Sequence, residues 1–255
     1  MQPIGILAAV HDEIAGLLAE MGPGAKVKRI GLRDYYQGTL CGCSCVLVLA
    51  RMGKVAAAAT TVTLIREFDV QAVVFTGLAG GIGAQIRVGD IVVARSLIQH
   101  DMDARPLFPR YQVPLLERSY FDVDTALSAT LIQSATAYLA DDFPGAVGAR
   151  TRGLYGIDMP SIHHGLIASG DIFVNDARTS QTLASALPDV LCVEMEGAAV
   201  AQICHEYGVR CAVLRTVSDR ADSVSHIDFE AFLKQVASLY SLGILRRFLA
   251  QLARA

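Results

Sequence analysis

The sequence predicts an α/β fold: a single domain over residues 1–255, with a mixed, mostly parallel central sheet flanked by helices. Three observations predict it. Short apolar runs recur at 4–10, 70–76, 91–94, 165–169, 190–193 and 211–217. Stretches of helical periodicity fall between them. The runs are continuously apolar rather than alternating, which is how strands read when both faces of their sheet are covered.

Composition narrows the class. A hydrophobic share of 53% against 18% charged residues is enough for a substantial core and excludes a disordered chain. The formal net charge of -3 offers no basic face, so neither nucleic acid nor an anionic membrane is expected as a partner. The opening Met1-Gln2-Pro3-Ile4-Gly5 has none of the parts of a signal peptide. The longest uncharged stretch, 70–86, is broken by glycines and falls short of the ~18 apolar residues of a spanning helix. Six cysteines without a secretion signal fit a reducing compartment, so the expectation is a soluble, cytoplasmic protein.

Taken in order, the run 4–10 opens the sheet and leads into an amphipathic stretch at 11–21, with Glu13 near its head. The next strand lies within 38–51, centred on Val46-Leu47-Val48-Leu49. Cys41, Cys43 and Cys45 alternate there and would share one face of a strand. That arrangement is either a thiolate metal site or a buried apolar face; spacing tighter than C-x₂₋₄-C and the want of a fourth ligand favour the second. Gly53-Lys54 enters a helix over 56–67. The run 70–76 gives way to Thr76-Gly77-Leu78-Ala79-Gly80-Gly81, a turn or a ligand cradle, which matches neither a P-loop nor G-x-G-x-x-G. Segment 101–118, with Pro106, Pro109 and Pro114, reads as a loop excursion, and so does 158–164 with His163 and His164. Helical spacing covers 125–140 and 198–205, the latter closed at Gly208. Cys192, Cys204 and Cys211 lie in apolar runs and read as core. The last helix carries the stripe Phe232, Leu233, Val236, Leu239, Tyr240 and Ile244, with Asp228 at its N-cap position.

Ligands of open parallel sheets bind beyond the carboxyl ends of the strands, so polar residues just after apolar runs are the candidates. Glu13, the glycine-rich 76–81 segment, Ser169-Gly170-Asp171, Glu194-Met195-Glu196 and Ser218-Asp219 all qualify. Each also has an ordinary reading as a turn, a cap or a helix N-terminal acid. Together they place Glu13, Glu196 and Asp219 at the same edge of one sheet. With no G-x-S-x-G and no His and Cys at ligand spacing, neither metal nor organic cofactor is expected.

The order of these elements resembles the nucleoside phosphorylase/nucleosidase family, and within it the bacterial 5'-methylthioadenosine/S-adenosylhomocysteine nucleosidases. The resemblance runs from Gly5-Ile6-Leu7-Ala8-Ala9 with Glu13, through Gly53-Lys54-Val55, Thr76-Gly77 with Ala79-Gly80-Gly81, Val88-Gly89-Asp90 and His100-Asp101. It continues in Ser169-Gly170-Asp171 with Phe173 and Asn175, Val193-Glu194-Met195-Glu196, Arg215, Ser218-Asp219, Ser225-His226 and Phe229. It implies a three-layer sandwich and hydrolysis of an N-glycosidic bond with release of adenine.

The resemblance also implies roles. Asp219, held by Ser218, would protonate purine N7, with its carboxyl pKa raised by burial. Glu13 and Arg215 would manage the attacking water. Glu196 would hold the ribose hydroxyls, and Met195 would pack on the ribose. Phe173 would stack on the base, the Val174 backbone would meet its edge, Phe229 would cover it, and Gly80 belongs to the same substrate-binding set. Met52 would line the 5' pocket with loop 104–114, the loop supplied by the neighbour in a homodimer. Phosphorylases of the family have an Arg where Phe75 stands and a Gly-Asp-Pro-x-Arg element where His11-Asp12-Glu13 stands, so water is expected as the acceptor. Leu78, Arg51, Arg105 and Arg110 depart from the pattern. The arginines would either read a charged 5' group, as in a futalosine-type nucleoside, or sit solvated on loops. A phosphate-dependent phosphorylase and a non-catalytic nucleoside-binding or storage protein are the further alternatives.

Overall fold

The computed structural model of the chain describes residues 2–221 and 229–254. Ten strands join in one sheet among them: β1 (Ile4–Ala8), β2 (Lys26–Ile30), β3 (Arg33–Leu40), β4 (Cys43–Leu49), β5 (Ala72–Gly81), β6 (Ile91–Gln99), β7 (Tyr120–Asp122), β8 (Ile162–Ser169), β9 (Val190–Glu194) and β10 (Arg210–Asp219). Among the described residues seven α-helices precede the C-terminal one: α1 (Ala15–Met21), α2 (Lys54–Phe68), α3 (Thr125–Asp141), α4 (Phe143–Ala146), α5 (Ala149–Tyr155), α6 (Ala177–Ala186) and α7 (Gly197–Tyr207). The last begins as α8 (Phe229–Phe232), passes through one π-helical stretch at Leu233–Ala237, and ends as α9 (Ser238–Leu252).

Strand alternation accounts for the sandwich. Ile4 and Ile6 of β1, with Ala72 and Val74 of β5, pack under Leu17 of α1, Leu131 of α3 and Ile244 and Phe248 of α9. Leu7, Val73 and Phe75 point the other way, onto Ala57 and Leu64 of α2 and Ala198 and Cys204 of α7. Both faces being covered, both sets must be apolar, and the strands read as unbroken runs. The C-terminal stripe falls as its period requires: Phe232, Val236, Tyr240 and Ile244 have no exposed surface.

The sheet is mixed, in the order β10-β6-β8-β9-β5-β1-β4-β3-β2, with β7 added to β6. Because β10 also pairs with β5 in parallel, five strands close into a ring (β10, β6, β8, β9, β5). Strand β5 meets β9 antiparallel only through Gly80↔Val193 and Gly81↔Cys192. Two sets of oppositely directed strands therefore touch at their carboxyl ends, which concentrates several strand ends in one place.

Some expectations are corrected. The glycine-rich 76–81 segment is not a turn: it continues β5 to Gly81, paired with β10. Likewise Ser218 and Asp219 are the last residues of β10 rather than a cap beyond it. His163 and His164 lie on β8, not in a loop, where His163 meets Asp90 at 3.0 Å. Cys41 falls in the turn before β4 with φ 48° and is exposed, so only Cys43 and Cys45 share the buried face. Strands β2, β3 and β7 and helices α4 to α6 are additional to the elements read from periodicity. Asp228, Ser225 and His226 lie outside the described residues.

Candidate active site

The chain builds the site from strand ends. Glu13 sits on a short 3₁₀ turn (His11–Glu13) just after β1. Although 96% shielded from solvent, it has three amide donors: Ala9 and Val10 at 2.9 and 3.0 Å on Oε2, and Leu78 at 3.2 Å on Oε1. Burial is the dominant influence and lifts its pKa to about 7, against the pull of these amides and of Arg215.

Arg215, only 1% exposed, is the one charged residue in an apolar stretch of β10. Its guanidinium lies over the Phe75 ring, 3.9 Å from the centroid, and its Nη2 donates to Glu194 Oε2 at 2.6 Å. Glu194 is the centre of a dense network. It also accepts the hydroxyl of Ser169 and the backbone N–H groups of Glu196 and Gly197. Ser169 in turn accepts the N–H of Ala198 at 2.7 Å. The free amides at the start of α7 are thus satisfied by side chains of β8 and β9.

The two glutamates of the Glu194-Met195-Glu196 turn consequently divide the two readings between them. Glu194 is the helix N-terminal acid. Glu196, which lines the cavity beside it, takes no part in that cap, and its Oε1 accepts Gly53 N–H at 2.7 Å. Burial and the negative charge of Glu194 lift its pKa to about 7 as well. At the end of β10, Asp219 accepts Ser218 Oγ–H on Oδ2 and Ala221 N–H on Oδ1, both at 2.7 Å. Asp219 is half-buried; the full burial expected of it belongs to Glu13 and Glu196.

Close backbone approach is required at two glycines. A Cβ on Gly77 would stand 3.1 Å from Glu13 Oε1 and 3.2 Å from Arg215 Nη1; on Gly80 it would stand 3.0 Å from Asp219 Oδ1. At Gly77 β5 passes between two charged groups, and at Gly80 it passes against Asp219 and the Ala221 methyl, 2.9 Å from such a Cβ.

One cavity of about 680 Å³, counting its open mouth, is lined by all eleven residues expected to form the site: Glu13, Met52, Phe173, Val174, Met195, Glu196, Arg215, Ser218, Asp219, Phe229 and Gly80. Acids and Arg215 stand beside apolar walls at Val174, Val193, Leu78 and Met195, while Met52 and Phe173 are 68% and 60% exposed at the mouth. Loop 104–114 lines none of it within this chain. Arg51 donates to the Leu32 carbonyl, Arg105 pairs with Asp103, and Arg110 lies over the Tyr111 ring, so none of these three arginines reaches the cavity. Among the described residues no group of three or more His, Cys, Asp or Glu is arranged to hold a metal ion.

Ser169 and Glu194 stand in strand-end motifs that the sequence marks as candidates, but their joint service to Arg215 was not read from it. Their signal was available: a charge inside an apolar strand, Arg215, requires a buried partner of opposite sign. Which strand supplies it is decided by the ring.

Proteins similar to this chain match it over nearly its full length. A sequence model of the phosphorylase superfamily matches residues 3–250. A 5'-methylthioadenosine/S-adenosylhomocysteine nucleosidase of Anoxybacillus flavithermus is 34% identical over 98% of this chain and 98% of its own length. An aminodeoxyfutalosine nucleosidase of Helicobacter pylori is 32% identical over 93% of this chain and 94% of its own. The crystal structure of the Neisseria meningitidis 5'-methylthioadenosine/S-adenosylhomocysteine nucleosidase in complex with methylthio-immucillin-A superposes with a TM-score of 0.84 at 32% identity, covering 98% of this chain and all of that one. With its strand-end site, its ring of strands and a match from residue 3 to residue 250, the chain belongs to the phosphorylase superfamily.

Proposed function

We propose that the chain is a purine nucleosidase that hydrolyses the N-glycosidic bond of 5'-methylthioadenosine or S-adenosylhomocysteine-type nucleosides and releases adenine. The observation that carries this reading is the convergence of Glu13, Glu196 and Asp219 on one cavity, with two of the three acids poised near neutrality. Glu13, at a pKa of about 7, is partly ionised at neutral pH and suits a general base that takes a proton from water. The C1'–N9 bond breaks, its electrons pass to the base, and Asp219 delivers a proton to N7 while the water oxygen adds to C1'. Ser218 has a second acceptor in reach, the Ala79 carbonyl at 3.5 Å, so its hydroxyl can turn away while Asp219 carries that proton. Glu196 holds the ribose hydroxyls and steadies positive charge on the sugar, as a carboxylate does in glycoside hydrolysis. Phe173 and Phe229, exposed at the mouth, stack on and cover the base, and the Val174 backbone meets its edge.

Water rather than phosphate as acceptor is supported by the charge around the base-side strand. Arg215 is already spent on Glu194, and Phe75 stands under it where a phosphate-binding cation would be needed. The test is adenine release from 5'-methylthioadenosine by purified protein in phosphate-free buffer. Absence of release, or release only on adding phosphate, would refute the reading. A futalosine-type nucleoside is the second reading, favoured by similarity to the Helicobacter pylori aminodeoxyfutalosine nucleosidase; relative kcat/KM across 5' substituents separates the two.

A second copy of the chain completes the 5' end of the cavity in this reading. Loop 104–114 and its flank carry Leu107 and Leu115, 83% and 87% exposed, and its own cavity is left open at Met52. An exposed apolar loop and an open apolar mouth on the same molecule suit a two-fold homodimer. Light scattering of the purified protein checks it, with a monomer as the refuting result.

A further inference from the structure

Three motifs to which the proposed chemistry gives no role meet in the fold: Gly53-Lys54, His100-Asp101 and Ser169-Gly170-Asp171. The Lys54 ammonium stands 2.6 Å from Asp101 Oδ1 and donates to Gln99 Oε1 at 3.0 Å. Asp101 Oδ2 accepts the N–H of Asp171 at 2.9 Å. Asp171 Oδ1 accepts the backbone N–H of Lys54 at 2.8 Å. The circuit is closed: side chain of Lys54 to Asp101, Asp101 to Asp171, Asp171 back to Lys54. Its three members come from the start of α2, the segment after β6 and the segment after β8.

Two of those segments form walls of the cavity. Met52, which lines the cavity, stands two residues before Lys54, and Ile172 and Phe173, which also line it, immediately follow Asp171. Gly53 is the N-cap of α2 and has no side chain to accept the first amides of its helix, so carboxylates from elsewhere do so. Asp171 takes the N–H of Lys54, and Glu196 takes that of Gly53. Gly53 adopts φ 94°, and a Cβ there would stand 3.2 Å from Asp171 Oδ1, so the packing admits only glycine comfortably. The Lys54 side chain is 16% exposed, which shields its charge from the salt screening that weakens surface pairs. Burial pushes the Asp101 carboxyl up, but Lys54 and the Asp171 amide outweigh it and hold the acid below its ordinary value.

We propose that Lys54 is a positioning residue for the nucleoside site. Its ammonium, bound to Asp101 and through it to Asp171, sets the spacing between the Met52 wall and the Ile172–Phe173 wall, and so places the Gly53 amide that aligns Glu196. Lys54 itself lines no part of the cavity and touches no reacting group. This rests on reading the cavity as a nucleoside site.

Two measurements test it, one with substrate and one without. In steady-state hydrolysis of 5'-methylthioadenosine, Lys54→Met raises KM on the order of tenfold, as loss of a charge-assisted contact does. The effect falls mainly on KM rather than kcat, and Lys54→Arg, which keeps a cation, restores most of it. In hydrogen exchange of the unliganded protein, the amides of Gly53, Lys54 and Asp171 exchange faster in Lys54→Met, while those of β1 and β5 keep their wild-type rates. Asp101→Asn, which removes the charge but keeps the shape, gives the same pattern and serves if Lys54→Met does not fold. Wild-type KM together with wild-type exchange at the three amides overturns the proposal, as does a lowered melting temperature with KM unchanged. If the wild-type protein turns over no nucleoside, the reading of the cavity falls, and exchange at the three amides alone decides the role of Lys54.

Discussion

Replacing Glu13 by Gln should change stability in a way that depends on pH. An ordinary glutamate titrates at 4.5, and in the folded chain Glu13 titrates at about 7, chiefly because it is buried. A raised carboxyl favours the folded state below pH 4.5 and loses that advantage as pH rises through 7, because ionisation then occurs more easily in the unfolded chain. Each pH unit between the two values is worth about 1.4 kcal/mol, so ionised Glu13 costs folding about 3 kcal/mol above pH 8. Gln removes that titration. It also places an NH₂ among the three amide donors of Ala9, Val10 and Leu78, a donor-to-donor mismatch worth about 1–3 kcal/mol at every pH. The absolute effect therefore combines two opposing contributions, but only one moves with pH. Urea unfolding of wild type and Glu13→Gln at pH 4.5 and 8.5 isolates it: relative to wild type, the variant should gain about 3 kcal/mol between the two pH values. A difference that stays constant across that range would show that Glu13 is not titrating in a buried site. Hydrolysis should be lost in the same variant, making it less active and, at high pH, comparatively more stable.

Other perturbations report on neighbouring parts of the site. Asp219→Asn should lower kcat by about 10²–10⁴-fold while calorimetric binding of a nucleoside persists; wild-type activity would remove Asp219 as the acid. Arg215→Met leaves Glu194 charged and buried without its cation and should cost about 3–5 kcal/mol, a fall on the order of 10 °C in Tm, checked by calorimetry. Gly77→Ala drives a methyl between Glu13 and Arg215 and should cost about 1–3 kcal/mol together with a loss of turnover, whereas unchanged Tm and kcat would mean the two groups have room to part.

The covered strands were readable because each is apolar on both sides, as in β5 from Ala72 to Phe75 and β10 from Cys211 to Leu214. Strands β2 and β3 were not, since one is Lys-Val-Lys-Arg-Ile with nearly every residue exposed and the other mixes Arg33, Asp34 and Gln37 with buried Tyr35. Strand ends were misjudged for a different reason. Thr76 to Gly81 has the composition of a turn, but β10 lies alongside and keeps it extended, a tertiary effect that local propensity does not contain. For the site, acids after apolar runs located Glu13, Glu196 and Asp219, while their assigned roles came from family resemblance. The grip of Glu194 on Arg215 joins residues on different strands, and the Lys54 circuit joins three segments; pairings of that kind follow from topology rather than from spacing along the chain.

Closing five strands into a ring also settles where this protein is vulnerable to unwanted association. Strands within the ring have their hydrogen-bonding edges taken by neighbours, so among the described residues the sheet's free edges are the three-residue β7 and the longer β2. An unpaired edge is a template for another chain's strand. At β2 it carries Lys26, Lys28 and Arg29 in five residues, with Lys28 held by Glu67 at 3.0 Å and Arg29 3.8 Å from Asp34. Long charged side chains tied into ion pairs along this edge obstruct the approach of another strand.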